Sequence, residues 1–102
     1  MTSSDGGRTS ALAGVSTDDD RVRVTNWTFP VAGATTGPHR HEVDYVVVPV
    51  TGSTLAVIEP DGARREMVQM AGSPYLGTAG TEHEVISTSG QSIVFVEVEL
   101  KR

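Results

Sequence analysis

Short runs of alternating apolar and polar residues, rich in valine, recur along the chain from Arg21 to Leu100. Such alternation places every second side chain on the same face of a β-strand. The predicted strands span residues 21–29, 39–48, 54–59, 63–70, 75–76, 83–87 and 91–100. Turn-forming segments such as Pro60-Asp61-Gly62 separate them, and no segment has the period of a helix. The pattern therefore predicts an all-β domain of about eight short strands, either a sandwich or a jelly-roll barrel.

The last predicted strand carries apolar residues on both of its faces. One face holds only apolar side chains: Val94, Val96, Val98 and Leu100. The other begins with Ile93 and Phe95 and ends with Glu97 and Glu99. A face that begins apolar and ends charged indicates that Ile93 and Phe95 are covered by other structure, and a second subunit is one candidate.

Residues 1–20 differ from the rest of the chain. They are rich in Ser, Thr, Gly and Asp and hold too little apolar surface to offset the entropy lost on ordering. We expect a disordered or loosely attached N-terminal arm over 1–20 and a single barrel domain over 21–102. The apolar patch Ala11–Val15 could dock on the barrel or on a partner subunit, although a flexible start is the favoured prediction.

Size and charge narrow the function classes. A chain of 102 residues forms one domain with a modest core, so assembly into a homodimer is expected to supplement it. The net charge of −5 disfavours nucleic acid and anionic membranes as partners. No apolar run could span a membrane, and no secretory signal is visible. The absence of cysteine excludes disulfides and a thiolate nucleophile and fits a cytoplasmic location.

The three histidines of the chain are the candidate metal ligands. His39 and His41 are two residues apart in a predicted strand, so their side chains project from the same face. His83 begins another predicted strand, which a barrel could place beside the first. Imidazole is a common ligand of iron, zinc, manganese and nickel, and its nitrogens do not choose among them.

These histidines lie in two motifs that resemble those of the cupins. The first cupin motif has a His-x-His pair and a later glycine, and the second has two spaced glycines before a histidine. The matching residues are His39, His41 and Gly52 in the first motif and Gly72, Gly80 and His83 in the second. Thr78 and Ser87 stand where the family usually has proline and asparagine. The resemblance covers residues 21–100 and implies a single-domain cupin jelly-roll barrel that binds one divalent metal ion per chain.

One departure from the family pattern concerns the fourth ligand. Where cupins usually have a glutamate, this chain has Tyr45 and Val46. Tyr45 has the strand parity of the histidines and should face the metal, whereas Glu42 and Asp44 should face out. Tyr45 could be a fourth ligand, a hydrogen-bond donor, a proton shuttle or simply a packed aromatic residue. Few other polar groups should line the cavity, and the candidates are Gln69, Tyr75 and Ser87.

The resemblance implies a metal-dependent enzyme that acts on a small organic acid or carbonyl compound. A dioxygenase is one expectation, and a lyase, decarboxylase or isomerase is another. The alternatives are a non-catalytic module that binds a small molecule and, less favoured, a structural dimerisation domain. No Ser-His-Asp set and no phosphate-binding loop is present. The segments 40–49 and 95–101 resemble a subgroup of small bacterial cupins, some of which are linked to β-alanine degradation.

Overall fold

A computed structural model describes residues 9–101, and within that range the protein consists of nine β-strands and no helix. The strands are β1 (Leu12–Asp18), β2 (Val22–Phe29), β3 (His39–Arg40), β4 (Asp44–Pro49), β5 (Ser53–Ile58), β6 (Arg64–Gln69), β7 (Tyr75–Gly77), β8 (Glu82–Ser87) and β9 (Ile93–Leu100). Across residues 9–101 there is accordingly no helix of the length and apolarity needed to cross a membrane. The all-β prediction is confirmed.

Two antiparallel sheets face each other. One has the strand order β1-β2-β9-β4-β7, and the other has the order β3-β8-β5-β6. Strands from the two ends of the chain are neighbours, since β2 pairs with β9 along its whole length from Val22↔Leu100 to Phe29↔Ile93. This is the single-domain jelly roll that the sequence predicts.

The core lies between the two sheets. Phe29, Leu55 and Ile93 are fully buried, and Phe95 is nearly so. The rings of Phe29 and Phe95 lie 5.6 Å apart between centroids, so they pack as a tilted aromatic pair. Ile93 and Phe95 are therefore covered by the opposite sheet of their own chain, and no second subunit is needed for their burial.

The outward face of the five-stranded sheet carries a continuous apolar row. Val98 on β9 is paired with Val24 on β2 and with Val46 on β4, and Val46 is paired in turn with Leu76 on β7. The three valines are half-buried, and Leu76 is 63% exposed. We call these four residues the outer row.

The N-terminal segment is more regular than its composition predicts. Residues 12–18 form β1, which pairs with β2 from Leu12↔Thr28 to Asp18↔Arg23 with one shift of register. All seven of its residues are exposed. Its order therefore comes from backbone hydrogen bonds and from the ion pairs of Asp18 with Arg23 and Lys101, which a count of apolar residues does not reveal. The part of the predicted arm over residues 1–8 lies outside the described residues.

Candidate metal centre

The segment predicted as one strand over residues 39–48 is divided between the two sheets. His39 belongs to β3, where it lies directly opposite His83 of β8. The chain then crosses to the other sheet, in which β4 begins at Asp44. His41 lies at the crossing, where its amide donates to Thr81 O at 2.9 Å and its carbonyl accepts from Gly80 N at 2.7 Å. These backbone bonds hold His41 beside the β3–β8 pair although it lies outside both strands.

The three imidazoles converge through their Nε2 atoms. Nε2 of His41 lies 3.1 Å from that of His39 and 3.2 Å from that of His83. Two ligands at 2.0–2.1 Å from a shared ion would be about 2.9 Å apart at a right angle and about 3.4 Å apart at a tetrahedral angle. These two separations fall between the two values, and the three ligand nitrogens together lie within 4.8 Å of one another, so the set could hold a divalent transition-metal ion.

The far side of the His41 ring is held by a carboxylate. Nδ1 of His41 lies 3.2 Å from Oε2 of Glu97, and both side chains are at most a tenth exposed. The other oxygen of Glu97 accepts a hydrogen bond from Nε1 of Trp27 at 2.8 Å. This chain of contacts fixes the orientation of His41 and leaves its Nε2 lone pair for the cluster.

The His39 ring is held in a similar way by the loop before it. Its Nδ1 lies 3.0 Å from the carbonyl oxygen of Gly37 and 3.3 Å from Oγ1 of Thr36. A carbonyl oxygen can only accept, so the proton of a neutral imidazole here belongs on Nδ1. In that tautomer Nε2 of His39 directs its lone pair toward the cluster.

His41 and His83 are held as neutral imidazoles. Burial, reinforced by the neighbouring imidazoles, lowers the pKa of His41 from 6.5 to about 4. Burial and the charge of His39 likewise lower the pKa of His83 to about 4. Both rings are therefore unprotonated near neutral pH, as metal ligands must be. Burial also raises the pKa of Glu97, and the hydrogen bond from Trp27 opposes that shift.

Tyr45 lies against the histidine cluster rather than apart from it. Its ring stacks on that of His41 with 3.8 Å between centroids and 17° between planes. Its other face covers Gly77, where a Cβ atom would lie 2.0 Å from Cζ of Tyr45. Glycine at position 77 therefore leaves the space that the phenol ring occupies. Glu42 and Asp44 are exposed, as their strand parity predicts.

The histidines open onto a cavity of about 870 Å³ between the sheets. Apolar side chains such as Val47, Val85 and Phe95 form much of its wall. Of the polar residues that the sequence predicts in this wall, Tyr45, Gln69 and Tyr75 line the cavity. Ser87 does not. Arg65 reaches the same cavity, although its side chain is 55% exposed and pairs with Glu59 at 2.6 Å.

Glu97 and Trp27 are the site residues that sequence reasoning missed. Both lie on inward faces, and Glu97 follows Ile93 and Phe95 at the spacing of two that marks one face of a strand. The sequence offered one indication of this role: Glu97 continues a strand face that begins with buried apolar residues. Because buried charges are usually paired, such a carboxylate indicates a partner in the interior. The pairing partner, His41, is more than fifty residues away in sequence and could not be read from that pattern.

We compared the chain with known protein families and with individual proteins. No protein-family model matches the chain. The chain is 47% identical over 95 residues to the β-alanine degradation protein BauB of Pseudomonas aeruginosa, an alignment that covers 93% of this chain and 98% of the relative.

Solved structures extend the likeness to three dimensions. A cupin domain from Bordetella pertussis superposes with a TM-score of 0.88 and 42% identity, over 93% of this chain and 97% of that one. The polyketide cyclase RemF from Streptomyces resistomycificus superposes with a TM-score of 0.67 and 22% identity, over 93% of this chain and 70% of that one. At that lower identity the likeness to RemF concerns the fold alone.

Proposed function

This chain belongs to the cupin family, and from that premise we propose that it is a metal-dependent enzyme for a small organic acid or carbonyl compound. In this proposal His39, His41 and His83 hold one divalent ion per chain. The observation that carries it is the convergence of the three imidazoles: each offers one ring nitrogen, and these three nitrogens lie within 4.8 Å of one another. Iron, zinc, manganese and nickel all suit such a set of neutral nitrogens.

The chemistry supplied by the ion follows from the ligand count. Bound by three imidazoles and no protein carboxylate, a divalent ion would keep open positions and polarise a carboxylate or carbonyl oxygen of the substrate, and iron would add oxygen chemistry. An anionic or chelating compound is therefore the favoured ligand. This supports either a dioxygenase or a lyase, decarboxylase or isomerase.

Tyr45 is the proposed catalytic residue of the chain itself. Burial raises the pKa of its phenol, so the hydroxyl keeps its proton at neutral pH and can donate it. Two contacts of Tyr45 argue against it as a fourth ligand: its ring stacks on that of His41, and its hydroxyl has Thr81 as a hydrogen-bond partner. We assign Tyr45 to hydrogen bonding or proton transfer beside the ion.

The cavity supports a small substrate. Its volume of about 870 Å³ is within the range of small-molecule sites, and its wall is mainly apolar with a few polar side chains. BauB, the relative with 47% identity, bears a name that concerns β-alanine, which is itself a small carboxylic acid. For this chain we propose a substrate of the same class, a small carboxylic acid.

A paired screen tests the proposal. Metal-loaded protein and the His41→Ala variant are incubated with small carboxylic acids, keto acids and diketones, and both oxygen uptake and products are followed. Turnover that the variant lacks is the expected result. Binding without turnover would favour the alternative, a non-catalytic small-molecule module. Turnover that survives in His41→Ala would overturn the proposed site.

We also propose that the partner of this chain is a second copy. The outer row leaves Leu76 and half-buried valines on the outward face of the five-stranded sheet. A small domain gains stability when such a face is covered. A cytoplasmic location, expected from the cysteine-free sequence, stays a prediction.

A further inference from the structure

One buried polar atom in the cavity wall has no hydrogen-bond partner among the described residues. It is Oε1 of Gln69, a side chain that is only 3% exposed at the end of β6. Leaving a buried acceptor unpaired costs free energy, so such an atom in a cavity wall marks a place where a donor can be received.

The rest of the Gln69 amide is fixed by its neighbours. Nε2 donates to the hydroxyl oxygen of Tyr75 at 2.8 Å, and that hydroxyl in turn lies 3.5 Å from Sδ of Met67. All three residues line the cavity onto which the histidines open. The amide oxygen is closed off in this conformation, and Met67 has the unbranched, flexible side chain that can move aside for a ligand.

Resting on the proposed function, we infer that Gln69 is a specificity residue whose amide oxygen receives a hydrogen-bond donor of the substrate. The substrate is then bifunctional: a carboxylate or carbonyl meets the histidines, and a hydroxyl or ammonium group at the other end meets Gln69. Glu97 and Glu99 of the opposite sheet also line this cavity, but their carboxylates already have partners within the protein. Arginine side chains line the cavity as well, so the preference for a donor depends on Oε1 of Gln69, the buried acceptor without a partner among the described residues.

Matched carboxylates test the inference without knowledge of the natural substrate. Unsubstituted, ω-hydroxy, ω-amino and ω-methoxy acids, from the propanoate to the hexanoate series, are titrated calorimetrically into metal-loaded protein. We expect at least one ω-hydroxy or ω-amino acid to bind about fivefold more tightly than its unsubstituted counterpart. In Gln69→Met, which keeps the volume and removes the amide, that preference should disappear while metal content and affinity for the unsubstituted acid stay constant.

Two further variants serve as a control and as a second test. Gln91→Met alters an exposed glutamine in a turn and should retain the preference. Gln69→Glu keeps an acceptor and should increase the preference for ω-amino acids, so it decides the matter if Gln69→Met does not fold.

The possible failures are distinguishable. If unsubstituted acids bind but no preference exists, or if it survives in Gln69→Met, this inference is wrong and the proposed function stands. A Gln69-dependent preference for ω-methoxy acids would also contradict it, because the amide N–H would then face the ligand. If no acid binds metal-loaded protein, the proposed carboxylate site and this inference both fail.

Discussion

Nδ1 of His41 lies 3.2 Å from Oε2 of Glu97, a carboxylate on the strand that crosses the middle of the five-stranded sheet. The negative charge raises the basicity of the imidazole, and the contact fixes the ring. We therefore predict that Glu97→Gln lowers metal affinity by about 10–100-fold. Competition with a chromophoric chelator measures the change.

Glu99 provides the matched control for that experiment. It lies on the same face of β9, two residues further on, and pairs with Arg23 at 3.8 Å instead of with a histidine. Glu99→Gln should leave metal affinity within about twofold of wild type, since a partly exposed ion pair contributes little. Equal losses in the two variants, or none in Glu97→Gln, would show that the contact with His41 does not support metal binding.

Gly77 gives a prediction about stability. A Cβ atom at this position would lie 2.0 Å from Cζ of Tyr45, so Gly77→Ala must displace the ring that stacks on His41. We expect the metal-free variant to lose about 1–3 kcal/mol of unfolding free energy in urea denaturation. Gly90→Ala is the control, because a Cβ there would meet nothing within 4 Å. Equal stability of the two variants would contradict the packing of Tyr45 against Gly77.

The stability of the metal-free protein should fall in mild acid. The folded protein holds the pKa of His41 and of His83 at about 4, against 6.5 in the unfolded chain. Between those values the unfolded chain binds protons that the folded chain does not. These two histidines therefore leave the free energy of unfolding at its full value above pH 6.5. That free energy decreases as pH falls toward 4.

A double variant separates the effect of the histidines from the titration of carboxylates in the same pH range. We expect the loss between these pH values to be about 1–3 kcal/mol after allowance for partial solvent access. His41→Gln/His83→Gln should show a correspondingly shallower decline in chemical denaturation at each pH. Parallel profiles for the variant and the wild type would contradict the lowered pKa values.

The outer row gives a prediction about assembly. If a second copy covers it, light scattering at micromolar concentration should give the mass of a dimer, and Val98→Lys should give a monomer. Val68→Lys is the control, since Val68 is a 68% exposed valine on the other sheet. A monomeric wild type, or a Val98→Lys variant that stays dimeric, would count against this surface.

The three histidine ligands and most of the strands could be predicted from the sequence. His39 and His41 were found through their spacing, and His83 through its place in a second motif, because these features depend on local order alone. Glu97 was not found. Since β9 is apolar on both faces, its own pattern does not say which face is inside, and only its pairing with β2 and β4 decides that.

Two other features also depend on contacts between distant segments. β1 has no buried side chain and is ordered by its ladder with β2, so its composition indicated an unstructured arm. The valine-rich segment after His39 predicted one continuous strand, but the chain leaves one sheet at Arg40 and enters the other at Asp44. Tyr45 still faces the histidines, because each half is placed by its own sheet.

The most direct test of the central claim is the metal content of the untagged protein, measured by elemental mass spectrometry beside His41→Ala. We expect near-stoichiometric iron, zinc, manganese or nickel in the wild type and its loss in the variant, with both proteins folded by circular dichroism. A wild type that stays metal-free after reloading with each of these ions would contradict the three-histidine metal site and the function proposed from it.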